Sequence, residues 1–593
     1  MDRASEPRRT PWERYVAVQE TEQADAPTVF EIGIPMRDGV ELAADVYLPP
    51  ASALPVPAVM QSTPYDKTGG PFFGGEPAFY QSHGYAFVLH DVRGRGKSEG
   101  EWRAMANDGR DGHDVIEWVA AQDWCTGRVG STGLSYMGWT QWAQAAERPP
   151  HLRAMVSTSA AGRWQQEIPY TNGCFQLYFG WWVYMVRRRI QESHGLGLTD
   201  WDEVLRRLPL NAIRDFIQPV PGLWEDVAER ETLDDYWRAL RIDDRYAGID
   251  VPCLHVTGWY DLEDLLGAFH HYEQMIAKSP ASQRQRLLVG PWSHVKSRFP
   301  HHTYADQEHG AAAAPDMNEI HLRWFDHWLK DEPNGVPDDP PVRLFEPGTN
   351  VWREAGSWPL AQRSASLFLR SELGSGGLSA TQVPDDPPQE AAQGPSRGAP
   401  GGEPPRSYRY DPLDPAPTQL DVRRYPLEDV PLDQTAVEGR PDVLTYTSAP
   451  LERELVISGW PHLHLRAATD GDDTDWHVKL TDVDEAGISR KVTQGCLRAA
   501  CRSSLERPSP VTPGAALDYD IELWPTHHAF LPGHRLRVSV TSSDFPWFAR
   551  HLNRFHAIAS AADPRVALNT VLHPAGARGS HLELPIERGE LPR

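Results

Sequence analysis

Gly133-Leu-Ser135-Tyr-Met-Gly138 follows the run Trp124-Cys-Thr-Gly-Arg-Val-Gly130 and precedes a segment rich in Trp, Gln and Ala. Read outward, this is a short β-like run, a glycine-flanked serine and a helix-compatible segment. That order holds a serine on a sharp strand-to-helix turn, with its Oγ projecting out of the backbone. Small residues are needed there because the turn is strained and the chain passes close to neighbouring strands. The usual form of the motif is Gly-x-Ser-x-Gly, and here the second glycine comes one residue late, at Gly138. A serine between glycines is also an ordinary loop residue, so the reading depends on partners elsewhere in the chain.

The partners follow in order. Val251-Pro-Cys-Leu-His-Val-Thr257 reads as a buried strand that runs into Gly258-Trp-Tyr-Asp261. Arg286-Leu-Leu-Val289 reads as another, running into Gly290-Pro-Trp-Ser-His294. Open α/β sheets bind ligands at the carboxyl ends of their strands, which is where Asp261 and His294 fall. Taken singly, Asp261 is an N-cap for Leu262-Glu-Asp-Leu-Leu, and His294 is one loop histidine among 24. Taken together with Ser135, they give the order Ser, Asp, His of an α/β-hydrolase. The template assigns Ser135 to attack a carbonyl and His294 to carry its proton to the leaving group, with Asp261 orienting the imidazole. An oxyanion donor is expected from the backbone N–H of Tyr136, the residue after the nucleophile. A second is expected from the loop after the strand Ala58-Val-Met-Gln-Ser62, which reads Thr63-Pro-Tyr65-Asp-Lys67.

These segments, with Asp91-Val-Arg-Gly-Arg-Gly-Lys-Ser-Glu-Gly100 and Asp114-Val-Ile-Glu-Trp118, resemble the cocaine esterase family from about Phe30 to the end of the chain. That family is related to X-Pro dipeptidyl-peptidases, glutaryl-cephalosporin acylases and α-amino-acid ester hydrolases. The resemblance implies that the Tyr65 hydroxyl is the second oxyanion donor and that Gly-x-Ser-Tyr-x-Gly is the family's form of the elbow. It also implies a jelly-roll in the C-terminal half, and it permits a homo-oligomer. In the α-amino-acid ester hydrolase branch, acids near Glu263 and Asp264 help bind an α-ammonium group, with Glu167 the candidate third acid. The alternative for these acids is to complement the dipole of the helix that follows.

Composition narrows the field. A chain of 593 residues with 40% apolar content can build two or three cores. A net charge of −24 gives no basic footprint for nucleic acid. The charged start, Met1-Asp-Arg-Ala-Ser-Glu, reads as no secretory signal, and the sequence has no apolar run of about 18 residues that would span a membrane. Five scattered cysteines without metal-type spacing fit a reducing compartment, here the cytoplasm. His270-His271 and His301-His302 are adjacent pairs, not the i, i+4 pair that puts two ligands on one helix face, so no metal and no cofactor are expected.

Along the chain, residues 1–26 read as a polar leader and Phe30–Tyr47 as a hairpin around Asp38-Gly39. A βαβ rhythm then implies a mostly parallel sheet over 27–162 and 246–335. Residues 163–245 break the rhythm with seven crowded aromatics, Tyr170, Phe175, Tyr178, Phe179, Trp181, Trp182 and Tyr184, and then amphipathic helical text from Trp201 to Arg245. This insertion reads as a helical cap, with Trp164 and two or three other aromatics lining an acyl pocket. The glycine-rich loop Arg93-Gly-Arg-Gly-Lys-Ser98 lacks phosphate-cradle spacing and reads as a structural connection. Residues 336–593 alternate in short runs, beginning with Val342-Arg-Leu-Phe345, as in a β-sandwich. The Pro- and Gly-rich stretch Ser379–Pro405 reads as a mobile loop within it.

The expected activity is a serine hydrolase cleaving a small ester or amide through an acyl-enzyme. One alternative is an α-amino-acid ester hydrolase, acyltransferase or aminopeptidase that recognises an α-ammonium group. Another is a non-catalytic protein that binds through its sandwich.

Overall fold

The computed structural model describes residues 26–69, 75–192, 196–217, 222–371, 376–382, 402–421, 430–576 and 579–592. The polar leader, but for Ala26, and most of the Pro/Gly-rich loop lie outside the described residues.

Ten strands form the first sheet: β1 (Thr28–Pro35), β2 (Glu41–Leu48), β3 (Val56–Thr63), β4 (Ala86–Asp91), β5 (Cys125–Leu134), β6 (Leu152–Thr158), β7 (Cys253–Gly258), β8 (Gln285–Gly290), β9 (Val342–Glu346) and β10 (Val351–Ala355). Their order is β1-β2-β4-β3-β5-β6-β7-β8-β9-β10. Strands β4, β3 and β5 through β9 run parallel to their neighbours, and antiparallel hairpins close both edges. Every residue of β3 and of β4 is buried, as expected of parallel strands covered on both faces. The hairpin around Gly39 forms as the sequence indicates, with Gly39 at φ 87°.

Two readings change here. Val342–Glu346 is not a sandwich strand; it pairs in parallel with β8 and extends the first sheet. Alternation between buried and exposed residues looks the same in a sheet-edge strand and a sandwich strand, so the pattern could not tell which sheet would receive it. Among its described residues the insertion also has no long helix. After Phe179–Val186 it runs through short pieces, among them Trp201–Leu205, Arg214–Ile217 and Asp235–Leu240. Proline at 209, 219 and 221 interrupts the amphipathic text, because proline removes a helix donor and clashes with the preceding turn.

Thirteen strands form the C-terminal sandwich around a separate apolar core that includes Leu367, Tyr446, Trp476, Ile521 and Leu584. Gly402–Tyr410 pairs with Ala567–Pro574, so residues 402–405 of the stretch read as loop are strand. The sandwich is fastened to the sheet domain by Glu273, whose Oε1 accepts from Trp358 Nε1 at 3.2 Å and Trp460 Nε1 at 2.9 Å. It is fastened to the insertion by Tyr178, which stacks on Trp547 with ring centroids 4.1 Å apart.

Strand β5 ends at Leu134 and a helix begins at Tyr136, all eleven of whose residues to Ala146 are buried. Ser135 between them adopts φ 65° and ψ −128°, a conformation costing about 1–3 kcal/mol in a non-glycine residue. Its N–H donates to both Thr158 O and Ser159 O at 3.0 Å, while its carbonyl accepts from Gly138 N and Trp139 N. The late glycine of the motif is explained by contact: a Cβ on Gly138 would lie 2.8 Å from Thr158 O and 2.9 Å from Ala160 Cβ. Gly138→Ala is therefore expected to cost about 1–3 kcal/mol in urea unfolding. Gly356→Ala, with nothing within 4 Å of the added methyl, should stay within about 0.5 kcal/mol of wild type.

Candidate active site

The loops after β7 and β8 are zipped together by backbone bonds. Trp259 N donates to Gly290 O at 2.9 Å and Tyr260 N to Trp292 O at 3.0 Å. The glycines of both motifs make room for the fully buried Trp292: a Cβ on Gly258 would meet its carbonyl at 2.1 Å, and one on Gly290 its ring at 2.2 Å. The zipper brings Asp261 to His294, with Nδ1 at 3.2 and 3.3 Å from the two carboxylate oxygens. Asp261 is fully buried, and its Oδ1 also accepts from Glu263 N at 2.9 Å and Asp264 N at 3.1 Å. The helix that follows starts at Leu265, with Asp264 rather than Asp261 as its N-cap, and the Asp264 side chain makes no cap bond.

Ser135, Tyr65, Tyr136, Trp164, Glu263 and Asp264 share the wall of one pocket with about 340 Å³ of empty space, open to solvent. Of the seven crowded aromatics of the insertion, three line it: Tyr178, Phe179 and Trp182. Glu263 links this pocket to the imidazole, its Oε2 lying 3.8 Å from His294 Nε2. Tyr65, the adjacent pair Ser135 and Tyr136, the stretch Asp261–Asp264 and His294 are thus gathered from four separate segments of the sequence.

The oxyanion candidates are held from behind. Tyr65 is buried and hydrogen-bonded to Ser135, and its hydroxyl accepts from Trp182 Nε1 at 3.1 Å. Burial pushes the phenol well above its ordinary range, so it remains a protonated donor. The Tyr136 hydroxyl accepts from Met105 N at 2.8 Å and is hydrogen-bonded to Asp108, whose own pKa burial pushes up to about 7. Anchoring the ring at its far end fixes the backbone N–H at the first turn of the helix. The loop read as a structural connection reaches the site through Arg95, which is 2% exposed. Its guanidinium donates to Pro64 O and Val186 O, each at 2.7 Å, tying the residue before Tyr65 to the insertion. Asp91, at the start of that loop, accepts from Lys67 N at 2.7 Å and so fixes the other side of Tyr65. Sequence reasoning found neither Arg95, Asp108 nor the Trp182–Tyr65 bond, since nothing in local spacing shows that a charged residue will be buried.

The acids do not all occupy the positions expected of them. Glu263 and Asp264 line the pocket, but Glu167 does not. Glu167 is buried with Oε1 accepting from Gly162 N and Oε2 3.7 Å from Arg163 Nε. It acts on the pocket through its field on Asp264. Burial, reinforced by Asp261, Glu263 and Glu167 and opposed by His294, pushes Asp264 well above the usual carboxylate range. Burial alone would depress His294, but Glu263, Asp261 and Asp264 together hold it well above an ordinary histidine. Asp261 is held below the usual range: burial opposes this, and the charge and hydrogen bond of His294 prevail.

Residues 38–296 match the X-Pro dipeptidyl-peptidase S15 family, and residues 334–578 match the X-Pro dipeptidyl-peptidase C-terminal non-catalytic domain. The chain is 30% identical to cocaine esterase of Rhodococcus sp. (strain MB1 Bresler), over 93% of this chain and 97% of the relative. A solved structure of an α-amino acid ester hydrolase superposes with TM-score 0.80 at 27% identity, covering 95% of this chain and 97% of its own. The fold is shared as well by an aminopeptidase from the marine sediment archaeon Thaumarchaeota archaeon, at TM-score 0.82 and 24% identity over 99% of both chains.

The charge of Glu263 raises His294 more than the charge of Asp261 or of Asp264 does, while Asp261 adds a hydrogen bond. Glu263→Gln is therefore expected to let the imidazole lose its proton at lower pH than in wild type, followed by NMR titration of the ring protons. An unchanged midpoint would mean that the partly exposed Glu263 is screened by solvent.

Proposed function

The chain belongs to the cocaine esterase and X-Pro dipeptidyl-peptidase family of hydrolases, and on that premise we propose that it cleaves a small carboxylic ester or amide through an acyl-enzyme on Ser135. The observation that carries this reading is the buried Asp261–His294 pair, set beside a pocket that holds a strained serine and the Tyr65 phenol. His294 removes the Ser135 proton as Oγ attacks the carbonyl carbon. Asp261 stabilises the imidazolium that forms. The negative charge developing on the carbonyl oxygen is met by the Tyr136 N–H and the Tyr65 O–H. His294 then delivers its proton to the departing alcohol or amine, and water repeats the sequence to release the acid. Every proton moves between these groups and substrate, so the chemistry calls for no cofactor.

A raised His294 pKa has a consequence for this cycle. The base must be neutral to accept the serine proton, so turnover rises with pH as the imidazole deprotonates.

One observation favours a narrower substrate class. Asp264 lines the pocket beside Glu263, and its buried Oδ1 has no hydrogen-bond partner among the described residues. A buried acceptor of this kind is satisfied by a charged donor. We read the acids as a subsite for an α-ammonium group, which makes an α-amino-acid ester or an aminoacyl amide the preferred substrate. The similarity to an α-amino acid ester hydrolase supports this reading.

Among the described residues no helix is long and apolar enough to cross a membrane. The five cysteines are free thiols, which suits a reducing compartment, and we assign the protein to the cytoplasm.

Ser135→Ala should lower kcat on p-nitrophenyl esters by at least ~10⁴-fold and abolish labelling by a fluorophosphonate probe. Labelling that persists in that variant would overturn the acyl-enzyme. Tyr65→Phe should lose ~10²–10³-fold in kcat, the usual effect of deleting one oxyanion donor. If the acids bind an ammonium, esters with and without the α-amine should differ in kcat/KM for wild type and converge for Asp264→Asn. Equal rates in wild type would remove the ammonium subsite and leave the hydrolase standing.

A further inference from the structure

The insertion begins with a hairpin, Tyr170–Thr171 against Cys174–Phe175, turned by Asn172 and Gly173 at φ 47° and 89°. It is pressed onto the sandwich strand Ser489–Arg498. Arg498 N donates to Asn172 O at 3.1 Å, Asn172 Nδ2 to Cys496 O at 3.2 Å, and Cys496 Sγ to Thr171 O at 3.4 Å. The approach is tight enough that a Cβ on Gly173 would lie 2.5 Å from Cys501 Sγ.

This docking sets Cys174 against Asp475 and His477, which stand two residues apart on one face of the strand Asp475–Val483. Cys496 is the cross-strand partner of His477. One donor atom from each of Cys174, Asp475 and His477 lies within 4.8 Å of the other two, and the Cys174 and Cys496 thiols are in hydrogen-bond contact. All four residues are buried, none more than 3% exposed. Ordinary packing leaves the cluster incomplete. Asp475 Oδ1 and His477 Nε2 are buried without a hydrogen-bond partner among the described residues, and such groups are costly to leave unmet.

We propose that Cys174, Asp475 and His477 bind one Zn²⁺, with Cys496 beside the fourth coordination position. Thiolate, imidazole and carboxylate are the donors zinc takes in tetrahedral sites, whereas the hard cations calcium and magnesium take oxygen ligands. Binding releases the Cys174 thiol proton to solvent, because sulfur ligates as thiolate. The ion would staple the insertion to the sandwich four residues before Tyr178, the residue that lines the substrate pocket and stacks on Trp547. A second group, Glu346, His527 and Glu587, also has unpartnered buried atoms, but Arg353 and Arg588 already pair with Glu346 at 2.9 and 2.8 Å and set two fixed positive charges beside it. The sequence reading expected no metal. These ligands come from positions 174 to 496 and carry no recognisable spacing.

The test uses the full-length protein, reduced and freed of metal with a chelator, then titrated with Zn²⁺ against a chromophoric chelator. A single equivalent should bind and raise Tm, and both effects should be lost in Cys174→Ala and in His477→Gln, with near-ultraviolet circular dichroism showing that each variant folds. Titration of the wild type with Co²⁺ needs no variant, and should give thiolate-to-metal charge-transfer absorption that saturates at one equivalent. No uptake by the wild type, no charge-transfer band, or zinc binding that survives both substitutions would overturn the proposal.

Discussion

Ser135 can be where it is only because two strands and a helix approach one another more closely than side chains allow. Its N–H reaches both Thr158 O and Ser159 O, and its φ of 65° turns the chain sharply into the helix. Met137 crowds Gly133 at 2.6 Å from a hypothetical Cβ, and the end of β6 crowds Gly138. The strain is offset by burial of the entire helix from Tyr136 to Ala146. Every other part of the site is arranged relative to this fixed point.

Around it, the fold solves the same problem several times, which is how to hold charge where water is excluded. Asp261 is kept ionised by two backbone donors and an imidazole. Arg95 donates inside the protein to backbone carbonyls, and it uses that bonding to fix the loop that carries Tyr65. Asp264 is left with an unpartnered oxygen. Read together, these groups divide into those the protein satisfies by itself and those that await a ligand. Under the proposed mechanism, that division separates the groups that would make Ser135 reactive from the surface that would choose its substrate. The same distinction applies at the junction of insertion and sandwich, where Cys174, Asp475 and His477 meet with two of their polar atoms unmet.

Among the described residues the sandwich contributes none to the pocket wall, but it is not a passenger. Trp547 supports the ring of Tyr178, whose hydroxyl donates to Glu263 at 3.1 Å. The C-terminal half thus braces a wall of the pocket from outside, through the insertion.

Much of this was legible before any coordinates. The elbow motif, the Asp and His at strand ends, the Tyr65 loop and the parallel sheet are carried by short local patterns, and each pattern reflects a backbone demand that few residues can meet. The readings that changed depend on distant parts of the chain. Val342–Glu346 joined the first sheet because β8 offered it an open edge. Glu167 lies outside the pocket wall, with one oxygen taken by Gly162 N. The sequence by itself determined which groups could perform the chemistry, since glycine at a crowded turn and a serine, acid and histidine in order are local requirements. Only the tertiary structure decided which carboxylates face the substrate, which lie behind them, and which side chains hundreds of residues apart share a buried cluster, because burial and electrostatic fields arise from the packing of all elements at once.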